Sequence, residues 1–92
     1  MKRILFVIVT LLTLSSCAYR KEIASEEAGL FFHQGLKAYY LGDAPYAEDC
    51  FKRVITRDRD NDAAFFYLSR LAFFRENKEA SDEYLQNAIR LQ

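Results

Sequence analysis

The sequence predicts an all-α fold: two helix-turn-helix units forming a short α-solenoid, behind a leader that is cleaved away. Three observations predict it. From residue 28 onward, apolar residues recur at three- and four-residue spacing, as in helices with one buried face. The pattern returns after a shift of 34 residues. The first sixteen residues are unlike the rest: a charged start, a short apolar run and two serines before a cysteine.

The leader comes first. Lys2 and Arg3 are followed by Ile4 to Leu14, apolar but for Thr10 and Thr13. As a helix this run spans about 16 Å, about half the hydrocarbon thickness of a bilayer. It is too short to cross a membrane and describes a secretory signal peptide over residues 1–16. Leu14-Ser15-Ser16-Cys17 resembles the bacterial lipobox. The resemblance implies cleavage before Cys17, a diacylglyceryl thioether on its sulfur and acylation of the new amino terminus. The alternative is an ordinary signal peptide with a chance cysteine. Several acyl chains, at about 0.8 kcal/mol per buried methylene, make a stable anchor where one would not. Ala18 follows the cysteine, not Asp. In a Gram-negative host the resemblance then implies the periplasmic face of the outer membrane; otherwise it implies the cell membrane.

The mature chain runs from Cys17 and has 76 residues, one small domain at most. Loss of Lys2 and Arg3 reduces 13 basic side chains to 11, against 13 acidic, a formal −2. This balance argues against a nucleic-acid partner, which calls for a basic excess. With Cys17 consumed, Cys50 has no partner within the chain. It is either a small, partly buried helix residue or the site of an intermolecular disulfide.

Residues 17–27 read as a lipidated tether, irregular or leading into a helix, with Ser25 a candidate N-cap ahead of Glu26 and Glu27. The first unit spans residues 28–61. Its first helix carries a stripe of Leu30, Phe31, Gln34, Ala38 and Leu41. Gly42 suits the left-handed residue that ends a helix, Asp43 caps the next, and Pro45 is tolerated in its first turn. The second helix sets Ala47, Phe51, Val54 and Ile55 on one face. Asp58 to Asn61 is a polar connector. The second unit, residues 62–92, repeats the plan: Ala64 to Arg75, a turn at Glu76-Asn77, then Lys78 to Leu91. Under the shift Phe31 falls on Phe65, Gly35 on Ser69, Ala38 on Ala72, Ala47 on Ser81, Phe51 on Leu85 and Val54 on Ala88.

These residues resemble the tetratricopeptide repeat (TPR). Phe31, Gly35, Ala47, Phe51 and Val54 carry the likeness in the first unit. Phe65, Leu68, Ser69, Ala72, Ser81, Leu85 and Ala88 carry it in the second. Small residues at Gly35, Ser69, Ala47 and Ser81 let facing helices approach, and Phe51 and Leu85 fill the space between. Arg59 replaces the usual proline, and Glu76 stands where glycine is common.

In this family the first helices line a concave face. The resemblance places Phe32, Leu36, Tyr39, Tyr40, Phe66, Arg70, Phe73 and Phe74 there as partner-binding residues. With half of roughly 200 Å² per aromatic left accessible, such a patch approaches 700 Å², more than soluble monomers usually expose. It suits an apolar or aromatic segment, such as an amphipathic helix, with Arg70 pairing to an acid. Two repeats are also marginal alone, and Tyr84, Ile89 and Leu91 have no following unit to cover them. Two functions follow as expectations. One is a lipid-anchored adaptor or assembly factor for an envelope protein or a secretion or pilus component, as pilotins are. The other is a constitutive subunit of an envelope complex or homo-oligomer.

The sequence suggests no enzyme and no cofactor. His33 has no second histidine at helical spacing, so no metal site is expected. Three glycines, none clustered, make no phosphate loop. Asp58, Asp60 and Asp62 lack the glycine and distant glutamate of a calcium loop and read as a solvated connector.

Overall fold

The computed structural model describes residues 23–92. The leader, Cys17 and the start of the tether lie outside the described residues. Among those described there are four helices and no strand: α1 over 23–41, α2 over Ala44–Arg57, α3 over Asp62–Phe74 and α4 over Lys78–Arg90. α3 packs against both α2 and α4, so successive helices stack as in a solenoid.

The helix ends follow from local chemistry. Asp43, Asn61 and Asn77 cap α2, α3 and α4, each accepting from the backbone N–H three residues on, at 3.3, 3.0 and 3.2 Å. Pro45 sits in the first turn of α2, where no N–H is needed. α1 closes with two reversed bonds, Gly42 N–H to Tyr39 O and Asp43 N–H to Ala38 O, with Gly42 at φ 85°. α3 closes identically: Glu76 N–H to Phe73 O, Asn77 N–H to Ala72 O, with Glu76 at φ 61°. The second turn thus repeats the first with a glutamate doing the work of a glycine.

Ser25 is not a cap. α1 is already helical at Ile23, so Ser25 lies inside it. Packing extends the helix backward: Ala28 is buried, and the Glu27 carboxylate meets Arg57 at the end of α2, at 2.8 Å. Arg57 and Arg53 also lie over the Phe31 ring, 4.7 and 5.4 Å from its centroid.

Small residues set the helix spacing in both units. A Cβ on Gly35 would meet the Phe51 ring at 3.0 Å and Cys50 Cβ at 3.2 Å. In the second unit the buried Ser69 hydroxyl lies 2.9 Å from the Ser81 carbonyl, to which it donates, and 3.3 Å from the Ser81 hydroxyl. The core joins Ala28, Ala38, Ala47, Phe51, Val54, Ala64, Leu68 and Leu71. Cys50 is buried within it as a free thiol, and a disulfide to another chain would require an exposed sulfur.

Two core expectations change. Leu30 and Leu41 are exposed, because α1 turns Ala28, Gly35 and Ala38 inward instead. Phe51 is 0% exposed but its counterpart Leu85 is 39% exposed. α3 covers Phe51, whereas no described helix follows α4 to cover Leu85.

Candidate docking surface

Tyr67 organises the boundary between the units. Its ring stacks on Phe51 at 5.2 Å with 6° between planes. It meets Tyr39, Phe66 and Phe32 edge-on at 5.1, 5.8 and 6.2 Å. Phe32 also stands edge-on to Phe51 at 5.6 Å. Such edge-to-face pairs each add about 0.5–1.5 kcal/mol beyond the area they bury. A hydrogen bond to Tyr40 and partial burial hold the Tyr67 phenol above its ordinary value.

This cluster divides the eight residues expected on the concave face. Phe32, Leu36 and Tyr39 are half-buried and pack against the core. Tyr40 at 75%, Phe73 at 69% and Phe74 at 61% stand in solvent, with Phe66 and Arg70 exposed beside them. Phe73 and Phe74 meet at 6.4 Å, and the Arg70 guanidinium lies 5.8 Å from the Phe66 centroid. Among these eight the open apolar surface is therefore carried mainly by α3, with Tyr40 contributed by α1. Next to it a cleft of about 400 Å³ runs between α3 and α4, lined by Phe66, Ser69, Arg70, Phe73, Phe74 and Leu85 among others.

An ionic clamp fixes the end of α3. The largely buried Glu48 carboxylate receives both Arg75 terminal nitrogens at 2.9 Å and the Lys52 ammonium at 2.9 Å. The bond to Glu48 holds Lys52 above its ordinary pKa. The sequence reading found neither this clamp nor Tyr67. The spacing of Glu48 and Lys52, four apart on a helix, was a usable signal for half of the clamp. Tyr67 had none, because its counterpart in the first unit is His33.

His33 is exposed on α1, and the Asp62 carboxylate accepts from the Ala63 N–H. Among the described residues no three histidine, cysteine or acidic side chains are placed to share a metal ion, and no helix is long and apolar enough to cross a membrane.

A family model described as the prokaryotic membrane lipoprotein lipid attachment site matches residues 1–18. No curated protein and no solved structure matches the chain. The match marks a bacterial lipoprotein, associated with a membrane through a lipid anchor.

Proposed function

For a lipoprotein held at a membrane in this way, we propose that the lipid is on Cys17 and that the helical array is a protein-docking adaptor or assembly factor of the bacterial envelope. The four helices are then two TPR-like units, displayed on the periplasmic face of the outer membrane in a Gram-negative host. The client presents an apolar or aromatic segment to the α3 face. One observation carries this reading: Tyr40, Phe73 and Phe74 are each more than 60% exposed on one small domain. So many bare rings are costly in water unless another surface covers them for part of the protein's life.

The test is photo-crosslinking in intact cells, with the reactive residue placed at Tyr40 or at Phe73. A transient client gives a crosslink that chases away, whereas a constitutive subunit gives one constant neighbour. Tyr40→Ser with Phe74→Ser should abolish the crosslink at Phe73 while the domain stays folded. Crosslinks and phenotype unchanged by both substitutions would dismiss the docking surface. Cys17→Ala should release the protein from the membrane fraction.

A further inference from the structure

The 34-residue repeat makes the first unit a template for the second. In the first unit, α3 lies against α1 and α2. Its Tyr67 rests on Phe32, Tyr39 and Phe51, and its Arg75 clasps Glu48. Each receiving residue has a counterpart one repeat later. Phe32 becomes Phe66, Tyr39 becomes Phe73, Phe51 becomes Leu85 and Glu48 becomes Asp82. The receiving residues of the first unit are half-buried or buried, and all four counterparts are exposed. The second unit thus keeps the seat while the occupant is missing from the described residues.

We propose that the α3/α4 cleft receives an amphipathic helix of another protein, in the pose α3 adopts on α1 and α2. This rests on the docking reading above and names its occupant. α3 supplies the pattern required: a small residue as at Ala64, an aromatic and a leucine as at Tyr67 and Leu68, an apolar residue as at Leu71, and a base as at Arg75. The base pairs with Asp82, as Arg75 pairs with Glu48. Arg70 stands where the first unit has Leu36, so the incoming helix also carries an acid beside its aromatic residue.

A second copy of this chain does not meet the pattern head to tail. Shifted back one repeat, Leu68 and Leu71 become Gln34 and Lys37, and Arg75 becomes Leu41. Leu68 and Leu71 are almost fully buried, so a copy would have to bury an amide and an ammonium there. The base needed for Asp82 would be missing as well.

The probe is a fluorescent helical peptide with the α3 contact residues in register and glutamate, glutamine or alanine elsewhere. It is titrated by anisotropy against the lipidated mature protein in nanodiscs, with empty nanodiscs and a register-scrambled peptide as controls. Saturable binding is expected. Leu85→Asp should weaken it about tenfold, the change that about 1.4 kcal/mol produces, and Lys37→Ala, at an exposed position of α1 outside the cleft lining, should leave it unchanged. Phe66→Ser repeats the test should Leu85→Asp perturb the fold, with circular dichroism checking both. Equal binding of the scrambled peptide, or indifference to both substitutions, would overturn the proposal. So would self-association that Leu85→Asp abolishes, since the occupant would then be a second copy. A client crosslinked in cells at Tyr40 and Phe73, without any effect of Leu85 on the peptide, leaves the docking surface standing and removes the helix pose alone.

Discussion

Gly35→Ala offers a measurement in which two physical effects oppose each other and geometry decides the sign. Inside a helix, alanine is favoured over glycine by about 0.8–1.0 kcal/mol. At Gly35 the added Cβ would lie 3.0 Å from Cε1 and Cζ of Phe51 and 3.2 Å from Cys50 Cβ. The Phe51 ring has little room to retreat, with Tyr67 stacked on one face at 5.2 Å and Phe32 edge-on at 5.6 Å. Overpacking of this kind costs about 1–3 kcal/mol. Propensity offsets part of it, leaving a net loss of about 1 kcal/mol and a fall in Tm of about 4–8 °C for a domain of this size. Gly29→Ala is the control: nothing lies within 4 Å of its Cβ, so the propensity gain remains and Tm rises. Both are read by thermal and urea unfolding of the unlipidated mature chain at 222 nm, with equal m-values required. Phe51→Leu should be less costly in the Gly35→Ala background than alone, because the two sites touch. If Gly35→Ala melts at or above the wild type, the close approach of α1 and α2 at this point is refuted.

The remaining predictions concern the turn, the clamp and pH. Glu76→Gly should stabilise the domain by about 0.5–1 kcal/mol: it removes the left-handed strain of roughly 1–2 kcal/mol at φ 61°, less the added freedom of glycine in the unfolded chain. A lower Tm for this variant in calorimetry would contradict it. A double-mutant cycle of Glu48→Gln and Arg75→Ala should give a coupling of about 1 kcal/mol, the upper end for ion pairs in partial contact with water, and it should shrink in 1 M salt. Zero coupling would mean that the clamp does not hold the end of α3. At alkaline pH, Tyr67 and Lys52 both bind their protons more tightly in the folded state than at their ordinary 10.0 and 10.5. Their contribution is complete below those values and is lost as pH rises through the raised ones, so the urea midpoint should hold to about pH 10 and fall above it. Tyr67→Phe should flatten that fall; an unchanged slope would show that the phenol is not its source.

Much of the architecture was legible because it is written twice. The cap at Asp43, the break at Gly42, the matching turn at Glu76-Asn77 and the small residues at Gly35, Ser69, Ala47 and Ser81 fall in register, and local chemistry alone assigns them. What could not be read concerns the ends of the array. The repeat makes Phe51 and Leu85 equivalent, yet burial depends on whether a helix comes next, which periodicity does not contain. The same applies to Phe32, Leu36 and Tyr39, expected in an open groove with their counterparts but half-buried against the unit that follows. Ser25 does not act as the cap its sequence suggests because capping propensity is local, whereas Ala28 and the Glu27–Arg57 contact draw α1 further back.

The two ends of the array also differ in kind, and this bears on function. At the end formed by α1, the positions equivalent to buried Leu68 and Leu71 hold Gln34 and Lys37, side chains content in water, with Leu30 and Leu41 exposed beside them. At the end formed by α3 and α4, the receiving positions include the apolar Phe66, Phe73 and Leu85, and Ile89 of α4 is exposed as well. Each exposed apolar side chain adds to the hydration cost and to the risk of aggregation. Exact self-propagation would need both ends apolar and complementary. Gln34 and Lys37 are a poor match for Phe66, Phe73 and Leu85, which supports the proposal that a different chain covers the α3/α4 cleft. Making Leu85 and Ile89 polar together should therefore raise the solubility of the isolated domain without lowering its Tm. A large loss of Tm would mean that these side chains serve the domain's own core.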